Sequence, residues 1–184
     1  MTAATDIAAT GSDDTRVATL PISSDTLLAQ LADWGLQYRL FSHIPLRTVA
    51  EAKQVEAEMA QPGVASLKIK NLYLRDRKKR NYLISVEQDR VVDLKALGQE
   101  IDAPGFSFGS ADRLLQMLGI LPGAVSPLAM ITGAQNDVRF YMDTAAQAAD
   151  VIHMHPLVND RTVAMPRADF MAFMQRLGCT VNWI

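Results

Sequence analysis

Lys70 and Asn71 stand side by side within an otherwise apolar stretch that continues Leu72-Tyr73-Leu74-Arg75-Asp76. A cation and an amide rarely take up neighbouring positions inside a strand without a reason, although most strand lysines are surface residues. A plainer reading sends Lys68 and Lys70 to a solvated face while Ile69, Leu72 and Leu74 supply the core, since residues two apart share a strand face. The alternation then breaks. An unbroken strand puts Asn71 on the face of Ile69 and carries Leu72 and Leu74 on the face of Lys70, so the spacing predicts a bulge or a pocket here.

His153 and His155 have the spacing of two ligands on one strand face, but no third ligand accompanies them and His43 is remote in sequence, so no metal is expected. His155-Pro156-Leu157-Val158-Asn159 reads as a strand exit where proline fixes the backbone; the imidazole either faces a cleft or is satisfied by the core. No G-x-S-x-G elbow, no G-x-x-x-x-G-K-[ST] loop and no G-x-G-x-x-G fingerprint occurs, which leaves serine hydrolysis, nucleotide hydrolysis and dinucleotide redox chemistry without support. Cys179, the single cysteine, follows a helix-ending glycine and is expected to be a buried apolar residue. Arg75, Arg77, Lys78, Lys79 and Arg80 crowd one turn with Asp76 as the only opposing charge; they form either a solvated turn or a local phosphate contact.

Those residues need elements to hold them. Leu27, Leu28, Leu31 and Trp34 predict a helix from Ser24 to Tyr38. Thr48-Val49-Ala50-Glu51 has capping-box spacing ahead of a helix from about Val49 to Met59. The extended run to Leu74, the polar turn and Tyr82 to Val86 predict a hairpin, with Val91 and Val92 continuing the β character. Asp93 and Ser110 precede helices over Leu94 to Ile101 and Ala111 to Leu118, separated by a short strand, Phe106 to Phe108. Gly119 to Pro127 holds two prolines and two glycines and is predicted to be an ordered loop. Strands follow at Val138 to Met142, Val151 to Met154 and Thr162 to Ala164, then a helix from Arg167 to Leu177 and a last strand within Thr180 to Ile184. The sum is a mixed α/β single domain.

The chain has 184 residues, is 49% hydrophobic and carries a formal net charge of -2, which fits one globular domain and excludes a protein coating nucleic acid over a broad surface. Any polyanion contact must be local. Residues 1–22 read as a flexible tail rich in Ala, Thr, Ser and Asp, with the folded domain at 23–184. Neither a signal peptide nor a membrane span is evident, so a soluble, cytoplasmic protein is expected.

Taken in order, His43-x-Pro45-x-x-Thr48-Val49, the Lys70 to Asp76 stretch, Val92-Asp93-Leu94-Lys95, Gly119 through Pro127 and His155 to Asn159 resemble the YbaK/ProX family of free-standing aminoacyl-tRNA deacylases, related to the editing domain of bacterial prolyl-tRNA synthetases. The resemblance implies a central mixed, partly barrel-like sheet flanked by helices, and hydrolysis of an aminoacyl ester on tRNA(Pro), alanyl-tRNA(Pro) in the ProX-type branch, with no cofactor. It implies a catalytic Lys70 and a pocket formed by Thr48, Asn71, Gly123, Ala124, Val125, Ser126, Pro127 and His155. The implied partners are the tRNA acceptor end, touched by Arg77, Lys78, Lys79 and Arg80, and prolyl-tRNA synthetase. Many relatives place a small hydroxyl residue before the lysine, where this chain has Ile69, and this leaves the amino acid open. The alternatives are a cysteinyl- or seryl-tRNA deacylase and a non-catalytic module that binds tRNA or a synthetase.

Overall fold

The first helix stops earlier than its apolar spacing suggests. In the computed structural model, which describes residues 20–45 and 49–184, α1 spans Ser24–Asp33 behind the N-cap Ser23, whose hydroxyl accepts from the Thr26 amide at 3.0 Å. Trp34 becomes the C-cap, and Gly35 turns the chain out at φ +71°, a conformation that glycine enters without strain.

From there the chain runs through β1 (Arg39–Ser42), α2 (Val49–Met59), β2 (Ser66–Arg75), β3 (Asn81–Glu87), α3 (Leu94–Glu100), β4 (Ser107–Phe108) and α4 (Ala111–Leu118). A 3-10 turn at Pro127–Ala129 leads into α5 (Met130–Gly133), and β5 (Arg139–Met142), β6 (Val151–Met154), β7 (Arg161–Pro166), α6 (Arg167–Arg176) and β8 (Asn182–Trp183) complete the order. Asp93 and Ser110 cap α3 and α4 as expected, each accepting backbone amides of the first turn. Val91 and Val92 depart from expectation. They lie in the loop ahead of α3, because β3 ends at Glu87 and the chain turns at once, leaving Val91 94% exposed. The proposed capping box rests on Thr48, which lies outside the described residues.

The described strands form one eight-stranded mixed sheet in the order β1-β7-β6-β2-β3-β5-β8, with β4 also on β2. β2 is its pivot. Ser66, Leu67 and Lys68 pair in parallel with β6, whereas Ile69 through Arg75 pair antiparallel with β3. The ladder from Ile69↔Glu87 to Arg75↔Asn81 runs residue for residue, so no bulge interrupts it.

The broken alternation is resolved by burying both faces of β2. Leu67, Ile69 and Tyr73 belong to a large core with Leu27, Leu31, Phe140 and Phe170, while Leu72 and Leu74 belong to a second core with Tyr82, Ile84, Val86 and Leu97. A strand covered on both sides is apolar at successive positions, and Lys70 and Asn71 are adjacent polar interruptions between Ile69 and Leu72, one on each face. No helix of the described residues is long and apolar enough to cross a membrane.

The β2–β3 turn is held from inside. Asp76, 5% exposed, accepts from the Arg80 amide at 2.9 Å, from Arg80 Nε at 2.6 Å and from the Tyr82 hydroxyl at 3.1 Å. Burial pushes its carboxyl up, but the hydrogen bonds from Arg80 and Tyr82 outweigh that and hold it below the usual carboxylate range. Removing the carboxylate strands those donors, so Asp76→Ala is expected to cost about 3 kcal/mol in urea denaturation; a loss under about 0.5 kcal/mol, the level of a neutral surface change, contradicts this role.

Candidate active site

Lys70 is half-buried, and its Nζ donates to the backbone carbonyl of Arg90. That carbonyl is itself held in place. The Arg90 guanidinium donates to Asp143 Oδ2 at 3.0 Å, and Asp143, 5% exposed, also accepts the amides of Glu87 at 3.1 Å and Ala145 at 3.0 Å. Burial raises the Asp143 carboxyl, yet the two amides and Arg90 hold it below the ordinary range, so the anchor stays charged at neutral pH. An ammonium carries three donors, and the Arg90 carbonyl takes one.

Asn71 projects to the opposite face and ties the Gly123–Pro127 loop to the sheet. Its Nδ2 donates to the Val125 carbonyl at 2.9 Å while its Oδ1 accepts from the Ser85 hydroxyl at 2.6 Å. Ser85 is fully buried and lies directly across the ladder from Asn71. Within the loop, Gly123 sits at φ +90°, the Ala124 amide donates to the Leu121 carbonyl at 3.1 Å, and Ser126, fully buried, accepts the Leu128 amide at 3.2 Å to cap the 3-10 turn opened by Pro127. The Ala124 N–H is therefore used inside the loop, and its shape is fixed by glycine, proline and the Asn71 bridge together.

His155 lies just past the end of β6 and is grouped with His43, not with His153. The His43 and His155 ring centroids are 6.3 Å apart, whereas His153 is buried with its ring stacked on Phe41 at 6.5 Å. His155 Nδ1 lies 2.9 Å from the Arg161 carbonyl and so carries the proton, leaving Nε2 as the basic nitrogen. His43 Nδ1 meets the Ile44 carbonyl at 2.8 Å, and its Nε2 accepts from the Thr162 hydroxyl at 2.9 Å. Arg161 has a second duty: its guanidinium pairs with Asp25 in the first turn of α1 at 2.5 Å. The parallel pairing of β2 with β6 ends at Lys68↔His153, two residues before Lys70 on one strand and two before His155 on the other chain segment.

The remaining expected residues divide. Arg77, Lys78 and Lys79 are exposed on the turn, but Arg80 is engaged within the fold by Asp76 and by the Asp102 carbonyl at 2.8 Å. Thr48 lies outside the described residues. Cys179 is half-buried rather than buried, and burial pushes its thiol up, away from the thiolate a nucleophile needs. Among the described residues no group of three or more His, Cys, Asp or Glu side chains could hold a metal. Sequence reasoning gave no role to Ser85, Arg90 or Asp143. Ser85 had a signal: it is the lone serine or threonine between the apolar residues Ile84 and Val86, and counting back from the Arg75↔Asn81 closing pair sets it opposite Asn71.

Two outcomes follow from this geometry. Asn71→Asp keeps an acceptor for Ser85 but turns an oxygen toward the Val125 carbonyl; it is expected to cost about 1–3 kcal/mol and to speed amide exchange across residues 123–127, and unchanged exchange would remove Asn71 as the tether. For His155, burial is the chief cause lowering its pKa from 6.5, helped by His43 and opposed by the Arg161 carbonyl and Asp160. The unfolded chain then takes up a proton before the native one does, so this contribution to stability is whole above 6.5 and is lost as pH falls below it. Urea melts at stepped pH should show that loss shrinking in His155→Gln; identical profiles for variant and wild type contradict it.

Comparison with known proteins supplies the family. The model of the aminoacyl-tRNA editing domain matches residues 46–173. The chain is 30% identical over 163 residues to the prolyl-tRNA editing protein ProX of Acetoanaerobium sticklandii, covering 88% of this chain and 96% of that one. It is 31% identical to prolyl-tRNA synthetase associated domain-containing protein 1 of Bos taurus, over 78% of this chain and 89% of the relative. A solved structure described as a candidate trans-editing enzyme for prolyl tRNA synthetase superposes with a TM-score of 0.62 at 17% identity, over 93% of this chain and 96% of that one, a likeness of fold. With the matched segment spanning α2 through most of α6, the chain belongs to the aminoacyl-tRNA editing domain family and is an aminoacyl-tRNA deacylase.

Proposed function

We propose that this protein edits in trans, hydrolysing the ester of alanyl-tRNA(Pro) with Lys70 as the catalytic residue. The observation that carries the reading is the restraint on Lys70: its ammonium is half-buried and bonded to the Arg90 carbonyl, with donors left for a substrate. The name of the ProX relative supports tRNA(Pro) as the carrier.

In this reading the terminal ester enters beside Lys70 near the exit marked by His155, and the loop of Gly123, Ala124, Val125, Ser126 and Pro127, tied to the other face of β2 by Asn71, meets it across the strand edge that β6 leaves unpaired beyond Lys68. Water attacks the carbonyl carbon, and the negative charge that collects on the carbonyl oxygen is stabilised by the fixed ammonium. The bond from the carbonyl carbon to the ribose oxygen breaks, releasing the amino acid and returning a proton to the ribose oxygen. A ribose hydroxyl of the substrate activates the water, a role for which no serine or cysteine nucleophile is needed. Asn71 holds the loop and His155 contributes its neutral Nε2 to the wall.

Alanine is separated from proline by size. Attraction for one methyl group supplies only about 1–3 kcal/mol, whereas a loop held by glycine, proline and Asn71 excludes the larger ring. Exposed Arg77, Lys78 and Lys79 supply local positive charge for the acceptor end, and a prolyl-tRNA synthetase is the partner that would release the mischarged substrate.

The test is ester loss from alanyl-, cysteinyl-, seryl- and prolyl-tRNA(Pro) incubated with purified protein. Alanyl ester should be lost fastest and prolyl ester spared, and Lys70→Ala should slow turnover by about 10²–10³-fold, the scale of removing one electrostatic stabiliser. Faster loss of cysteinyl or seryl ester replaces the alanine assignment, and no acceleration over buffer with any of them leaves a binding module.

A further inference from the structure

A cleft of about 660 Å³ opens at the far end of β3 from Lys70. Lys79, Arg80 and Arg139 line it with one acid, Asp137, and Thr180 and Cys179 also line it. This is an excess of two positive charges on a chain whose formal net charge is -2. Lys79 and Arg139 are exposed, while Arg80 is already engaged by Asp76. Arg139 lies over the Tyr82 ring at 5.8 Å. The lining is too polar and too charged for an apolar small molecule, and its cations beside neutral donors such as Asn81, Thr180 and Asn182 suit a phosphate-bearing strand.

Its distance from Lys70 is set by the ladder. Lys70 pairs with Val86, and five residue steps along β3 lead from Val86 to Asn81 in the cleft lining, about 17 Å at roughly 3.3 Å per residue. A stacked strand rising roughly 3.4 Å per nucleotide covers that span in about five steps.

We infer that this cleft binds the phosphodiester backbone of the tRNA acceptor stem, about five nucleotides from the ester held at Lys70, with Lys79 and Arg139 as the phosphate-binding residues. The inference rests on the proposed deacylation of tRNA and adds to it a second point of attachment that sets which part of the RNA lies over the sheet. Asp137 faces the same space and limits the site to a line of spaced phosphates rather than a dense polyanion.

Uncharged tRNA(Pro) reads the cleft without any ester. Binding to the full chain, measured between 50 and 200 mM salt, should weaken in Lys79→Gln and in Arg139→Gln, and the slope of log K against log salt should fall in magnitude by about 0.7–0.9 for each cation removed. Arg139→Lys should restore the slope, which separates lost charge from lost packing on Tyr82. Cys179 is the single cysteine, so its alkylation by N-ethylmaleimide reports on the wall directly: tRNA should slow it in wild type, and less in the double Gln variant. Unchanged affinity and slope in both variants overturn the inference. So does protection of Cys179 by inorganic phosphate or adenosine monophosphate at millimolar concentration with none from tRNA, which would make the cleft a site for a free phosphate compound. A chain that binds tRNA in this way yet leaves every aminoacyl ester intact upholds the cleft and defeats the proposed reaction instead.

Discussion

A single change of partner along β2 governs the arrangement. Its first residues pair with β6 and its later ones with β3, and the handover falls between Lys68 and Ile69. Beyond that point the β6 side of the strand is no longer closed by a parallel neighbour, and room opens for side chains that a continuous sheet would crowd out. Lys70 and Asn71 occupy the opening from opposite faces. Because adjacent residues point in opposite directions, one short segment supplies a charged donor to one face and a loop anchor to the other.

Each of these two side chains depends on a buried polar network. Lys70 rests on a carbonyl whose own residue is clamped by Asp143, and Asn71 is pinned between Ser85 and Val125. Such networks hold geometry well when every member is satisfied and are costly when one is missing. Preorganisation of this kind is what electrostatic catalysis asks for, since donors already in place do not reorganise as charge develops. The loop of Gly123 to Pro127 follows the same logic with backbone restraints in place of charge.

Much of this was legible in the residues. The helices at Leu94 and Ala111 start where Asp93 and Ser110 place them, because a side-chain cap is a local interaction. The hairpin was legible for the same reason. Trp34 was counted into α1 from its spacing, although a glycine one residue on had already set the stop. Val91 and Val92 misled because β propensity records a fit to a half-buried pleated surface, and here the chain needed the Arg90 carbonyl turned inward to meet Lys70. The approach of His43 to His155, more than a hundred residues apart, arises from β1 pairing with β7, a contact no local pattern encodes.

Arg161 joins two parts of the molecule through one residue, its carbonyl on His155 and its guanidinium on Asp25. The first helix is therefore linked through Arg161 to the imidazole at the strand exit. The Asp25 carboxylate is largely exposed, so this link is a light one, and α1 keeps its place in the main through Leu27, Leu28 and Leu31 in the core.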